Sequence, residues 1–226
     1  HQINSVIVAQ HIGRDGIGLN LTFETLEGIL NHSRGEGPLS IDPSKPEEYW
    51  IVMFSDKIAY TFADINDSIR YGYLDESNIP TAVRELGKDQ RERTYKCVES
   101  LIRESAEKGR VSFSEGRIFE MFEETRSFMY KKVYPKIEWD VQMKILEKTF
   151  EFLQEPSFAG CDPVVLLSLL TDSEVNCIGE MLIKTKRPSL ERLQDTGISE
   201  LLPYLKGKKI DYSDKEYQDP NPPASP

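Results

Sequence analysis

Between Glu47 and Tyr73 the chain holds one helical phase, with no proline and no glycine before Gly72. At 100° per residue, Ile51, Ile58, Phe62, Ile65 and Ile69 fall on one side of that helix. Asp56, Tyr60, Asp64 and Asp67 lie within about 80° of one another on the other side. A helix this long with an apolar side is stable only when other elements cover it. The rest of the chain offers helices for that purpose and no convincing strand alternation. The expected fold class is therefore all-α, with about eight or nine helices packed as a bundle.

Turn signals set the boundaries of the other helices. A first helix is predicted over 2–13, stopped by the glycines of "GRDGIGLN", and a second from Thr22, as N-cap, to His32. "SRGEGPLSIDPSKP" reads as a loop. After the long helix come helices near 80–87 and 89–108, the latter ending at Gly109, then "SEGRIFEMFEETRSFMYKKVY". Two more are predicted near 139–154 and 162–184, the second with Asp162 as N-cap and Pro163 at the first helical position. A last helix is expected over 189–205. The tail "DYSDKEYQDPNPPASP" has too little to bury and is expected to be disordered.

Composition narrows the functional classes. No apolar run approaches the ~20 residues of a membrane span, and residues 1–20 lack a signal-peptide pattern. A net charge of −10 opposes a general nucleic-acid surface while leaving room for a local basic patch. Cys97, Cys161 and Cys177 match no zinc or redox spacing and read as buried small hydrophobes in a reducing cytoplasm. The aromatic set Phe113, Phe119, Phe122, Phe128, Tyr130 and Tyr134 reads as packing, and "LKGKK" near 205–209 as a solvated helix end. The chain opens at His1 inside a helical pattern with no N-cap ahead of it, which suggests part of a longer polypeptide.

The acidic stripe itself has two readings. It is either the solvated face of an amphipathic helix or the wall of a metal or nucleotide site, and the pattern alone leaves both open.

Three stretches taken together carry further information: "HQINSVIVAQHI", "GLNLTFETLEGILNHS" and "YWIVMFSDKIAYTFADINDSIRYGYL". In this order they resemble the HD-domain deoxynucleoside triphosphate triphosphohydrolases, the dGTPase-like family. The similarity is close over residues 1–75 and looser over 85–183. It implies an HD-type helical bundle, in part, over 1–78, an accessory helical region over 79–205 and a tail over 206–226. It also implies roles along the stripe. Asp56 matches the family's last metal ligand, and carboxylate and imidazole donors suit Mn²⁺, Mg²⁺ or Fe. Lys57 matches a triphosphate contact, Tyr60 a tyrosine packed on sugar and phosphates, and Asp64 the acceptor for the deoxyribose 3′-OH. His1 matches a histidine near the phosphates, able to donate a proton. Asp67, His11 and His32 match nothing catalytic.

The reaction so implied is hydrolysis of a dNTP at its α-phosphorus to deoxynucleoside and tripolyphosphate, assisted by a divalent metal. The family's earlier His ligand and its His-Asp pair have no counterpart here: the sequence holds three histidines and no His-Asp dipeptide. The chain is thus expected to form one wall of a site and to be inactive alone. The expected partners are a dNTP and further copies of the chain, as a homo-oligomer. The alternative is a catalytically silent helical module that regulates or oligomerises.

Overall fold

The computed structural model describes residues 2–158, 160–184, 188 and 196–208. The expectations for His1, for residues 189–195 of the last helix and for the tail beyond 208 lie outside the described residues. Every regular element within them is helical, as the sequence predicts. No described helix is long and apolar enough to cross a membrane. The described chain divides into two compact units, one of residues 27–137 and one of residues 2–26 with 138–208.

The chain starts with α1 (Gln2–Ile7), which continues as a π-helical segment, Val8–Ile12. The single turn α2 (Gly13–Gly16) carries Arg14 and Asp15 in the left-handed region, at φ 52° and 55°. α3 (Phe23–Asn31) follows; Thr22 Oγ1 accepts from Thr25 N at 3.4 Å, the predicted N-cap.

The unit of residues 27–137 is organised around α4 (Glu47–Arg70). Next come α5 (Thr81–Leu86), α6 (Gln90–Lys108) and α7 (Gly116–Phe128), which runs into a π segment, Met129–Val133. Asp89 caps α6 by accepting from Glu92 N at 2.9 Å, and Gly109 ends it in the left-handed conformation. Met53, Phe54, Ile58, Phe62 and Ile65 of α4 pack in one core with Val83, Leu86, Cys97, Met121, Phe122 and Met129. Phe113 stands at its centre, with ring centroids 5.9 Å from Phe54 and 5.5 Å from Phe122. Ile51, expected inside, is 49% exposed. At the start of α4 the buried face is centred on Trp50, Met53 and Phe54, about 100° round the helix from Ile51.

In the other unit, α8 (Trp139–Leu153) packs against α10 (Asp172–Ile183). A Cβ at Gly179 would meet the Ile145 carbonyl oxygen at 2.7 Å, so only glycine permits that approach. The continuous helix predicted over 162–184 is in fact two, α9 (Pro163–Ser168) and α10. The break comes from a capping box: Thr171 N donates to Glu174 Oε2 at 2.6 Å while Glu174 N donates to Thr171 Oγ1 at 3.4 Å. The last described helix is α11 (Gly197–Leu205). Beyond it, Lys208 is not a solvated charge: its ammonium donates to the carbonyls of His11 and Gly16. The cysteines also differ from expectation, with Cys97 buried, Cys161 half-buried and Cys177 exposed.

Candidate functional site

The stripe on α4 is neither wholly solvated nor wholly buried. Lys57 and Asp56 keep only 13% and 17% of their side-chain surface, with Lys57 Nζ 3.9 Å from Asp56 Oδ2. Asp64 is half-buried, Tyr60 is 64% exposed, and Asp67 points out and pairs with Arg70 at 3.1 Å. Helical phase accounts for Lys57 and Asp64, which border the buried arc, but not for Asp56, which lies as far round the helix as the exposed Asp67 and is shielded all the same.

A second row of side chains meets this stripe from α7, its π extension and the 3₁₀ turn that follows, Tyr134–Lys136. Arg126, Tyr130 and Tyr134 are spaced i, i+4, i+8. The Tyr134 hydroxyl donates to Asp64 Oδ2 at 2.6 Å, and the Tyr130 and Tyr134 rings meet edge to face at 4.9 Å. Tyr134 packs against the core, as expected of the aromatic set, and its hydroxyl at the same time borders the stripe together with Tyr130. Arg126 is 4% exposed. Its Nη1 donates to Glu123 Oε1 at 2.6 Å, and its Nη2 to the carbonyls of Gly35 at 3.4 Å and Gly37 at 3.1 Å. Its Nε is buried with no acceptor.

The titrating groups report the same neighbourhood. Burial lowers the Lys57 ammonium below its ordinary value; Arg126 acts in the same direction, while Asp56 and Asp64 oppose it. Burial raises the Asp64 carboxyl, against the hydrogen bond from Tyr134, which lowers it. Tyr130 is raised, first by burial, with Asp64 and Asp56 among the charges acting on it. Tyr134 is raised by burial and by its bond to Asp64. Two cations and two carboxylates therefore share a partly dehydrated space, where their fields are stronger than in water.

Chemically, this space suits a polyanion that carries a hydroxyl. Lys57 and Arg126 can face anionic oxygens, and Asp64 can accept from a hydroxyl. Among the described residues no group of three or more His, Cys, Asp or Glu is placed to hold a metal ion. Asp56 offers a single carboxylate donor, of the oxygen type that suits Mn²⁺ or Mg²⁺. His1, the expected proton donor, lies outside the described residues. Arg126, Tyr130 and Tyr134 escaped the sequence reading, although their four-residue spacing, matching that of Asp56, Tyr60 and Asp64, was a visible signal.

Comparison with known proteins gives a consistent picture. The chain is 37% identical over 161 residues to a deoxyguanosinetriphosphate triphosphohydrolase-like protein of Clostridium tetani, covering 67% of this chain and 46% of that protein. It is 40% identical over 163 residues to the protein of that name from Clostridium perfringens strain SM101, with the same shares covered. A third, from Caldanaerobacter subterraneus, is 33% identical over 160 residues, covering 69% of this chain and 45% of the relative. The chain spans about half the length of the curated relatives it matches. No protein-family model and no solved structure matches it.

Proposed function

We propose that this chain, a homologue over two thirds of its length of the deoxyguanosinetriphosphate triphosphohydrolase-like proteins, supplies one wall of a dNTP triphosphohydrolase site. The observation that carries the reading is Arg126. Its guanidinium is almost wholly buried: Nη1 is paired with Glu123, Nη2 is held by two backbone carbonyls and Nε lacks an acceptor, so a fixed positive charge stands behind the stripe. Lys57, also shielded, stands within its electrostatic reach. A triphosphate would face Lys57 directly and lie in the field of Arg126.

In this reading each residue has one task. Arg126 and Lys57 hold phosphate oxygens and neutralise their charge. Asp64, positioned by Tyr134, accepts from the deoxyribose 3′-OH, and Tyr60 offers its exposed ring to the sugar. Asp56 would hold one position on a divalent metal, Mn²⁺ or Mg²⁺. When bound, such a metal supplies activation of water and neutralisation of charge at phosphorus. His1 donates a proton toward the departing oxygen. The products are a deoxynucleoside and tripolyphosphate.

The test is the polypeptide as its source organism makes it, assayed with dGTP and Mn²⁺ by anion-exchange chromatography of the products. Release of tripolyphosphate, reduced at least a hundredfold in Asp56→Ala and in Arg126→Ala, is expected. If the natural polypeptide neither binds nor cleaves any dNTP, the chain is a silent helical module and the proposal fails.

A further inference from the structure

The line of α4 that carries Lys57 and Asp64 does not stop at Asp64. Lys57, Asp64 and Tyr71 recur at one spacing along the chain. Each lies about 20° in phase and about 10 Å along the axis from the next. Tyr71 keeps this phase although it is the C-cap of α4, because its N–H still donates to the Asp67 carbonyl at 2.9 Å. Lys57 and Asp64 offer the polyanion and hydroxyl contacts of the site. The Tyr71 ring, 67% exposed, buries too little to serve as packing.

That ring is nevertheless held in place. The turn behind it is closed by Gly72 N on the Ile69 carbonyl at 3.1 Å and Tyr73 N on the Ser68 carbonyl at 2.8 Å, with Gly72 left-handed at φ 77°. Arg70 backs the ring: its guanidinium carbon stands 4.8 Å from the ring centroid, and Nη2 donates to the Tyr71 hydroxyl at 3.3 Å. Asp67 fixes Arg70 in turn, at 3.1 Å. The second row of side chains also extends past Asp64. Beyond Tyr134, which donates to Asp64, Lys136 Nζ donates to the Tyr73 carbonyl at 2.7 Å.

A deoxynucleotide has its parts in the same order. Its phosphates leave the sugar through C5′ and its base through C1′, on opposite sides of the ring oxygen. With phosphates at Lys57 and the 3′-OH at Asp64, the base is directed away from Lys57 and toward Tyr71. Helical side chains lean toward the N-terminus, which tilts Tyr71 back toward Asp64. We propose that Tyr71, backed by Arg70 and held through Asp67, is the platform on which the nucleobase of a bound dNTP stacks. This role rests on the dNTP reading of the site given above, and adds to it the base contact that Lys57, Tyr60 and Asp64 do not supply. Stacking uses the π-face that every base has, not its hydrogen-bonding edge, so purine and pyrimidine dNTPs are both held.

The test measures binding to the polypeptide as its source organism makes it, by calorimetry with Ca²⁺ in place of Mn²⁺ to suppress turnover. The ligands are dGTP, dCTP and 1,2-dideoxyribose 5-triphosphate, the same sugar triphosphate without a base. Both dNTPs are expected to bind about tenfold more tightly than the base-free compound. Tyr71→Ala should abolish that advantage while leaving the base-free compound bound as in the wild type, which also shows that the variant is folded. Tyr71→Phe, which keeps the ring, should retain the advantage. Three results would each overturn the platform and leave the triphosphate site standing: a base-free compound bound as tightly as dGTP, an advantage that survives in Tyr71→Ala, or one that is lost in Tyr71→Phe. A wild-type protein that binds none of the three ligands would overturn the dNTP reading itself, and the platform with it.

Discussion

At the scale of single residues, two carboxylates show how surroundings set a charge. Asp64 is raised by burial, so its folded form holds a proton more tightly than the unfolded chain does. Its contribution to stability is present below the ordinary carboxylate value and is lost as pH rises through the raised one. The Tyr134 hydroxyl works against that shift, so Tyr134→Phe should move the Asp64 midpoint higher still, as read by carboxyl carbon NMR; a midpoint that falls would contradict the assignment. Glu104 is the opposite case. Burial alone would raise it, but donation from Lys108, from the Ser112 hydroxyl and from the Ser114 amide and hydroxyl lowers it from 4.5 to about 2. Its contribution is complete above the unfolded value and is lost as pH falls from 4.5 toward about 2. Glu104→Gln should cost about 1–3 kcal/mol at neutral pH, and the difference from the wild type should shrink as urea denaturation is repeated at lower pH.

At the scale of elements, helix existence was legible because apolar residues recur with the helical period, and caps such as Thr22, Asp89 and Asp162 carry their own chemistry in the sequence. What was not legible depended on neighbours. Ile51 shares a phase with Ile58 and Phe62, yet it is exposed because the first turns of α4 bury Trp50 and Met53 instead. The partner of Asp64 lies 70 residues away, a distance across which periodicity carries no information. The break before α10 was readable in principle, since Thr171 and Glu174 have the spacing of a capping box. Thr171→Ala should cost about 1 kcal/mol, seen as faster hydrogen exchange at the first amides of α10 with α9 unaffected. Phe122 joins α7 to α4 through Phe62 and Phe113, and Phe122→Ala should cost about 3–5 kcal/mol in chemical denaturation.

At the scale of the whole molecule, the main core cluster is drawn entirely from residues between 39 and 134. Residues 27–137 produced alone are therefore expected to give a helical spectrum and one cooperative urea transition; a broad, non-cooperative melt would refute this. The same closure gives the protein an internal clock. Cys97 has no exposed surface, and burial pushes its thiol up to about 12, whereas Cys177 is open to solvent. A thiol reagent added to the native protein will mark Cys177 at once but must wait for the core to open before it reaches Cys97. The rate of that second labelling, resolved by mass spectrometry, times how often the unit that carries the candidate site comes apart, with no denaturant and no engineered probe.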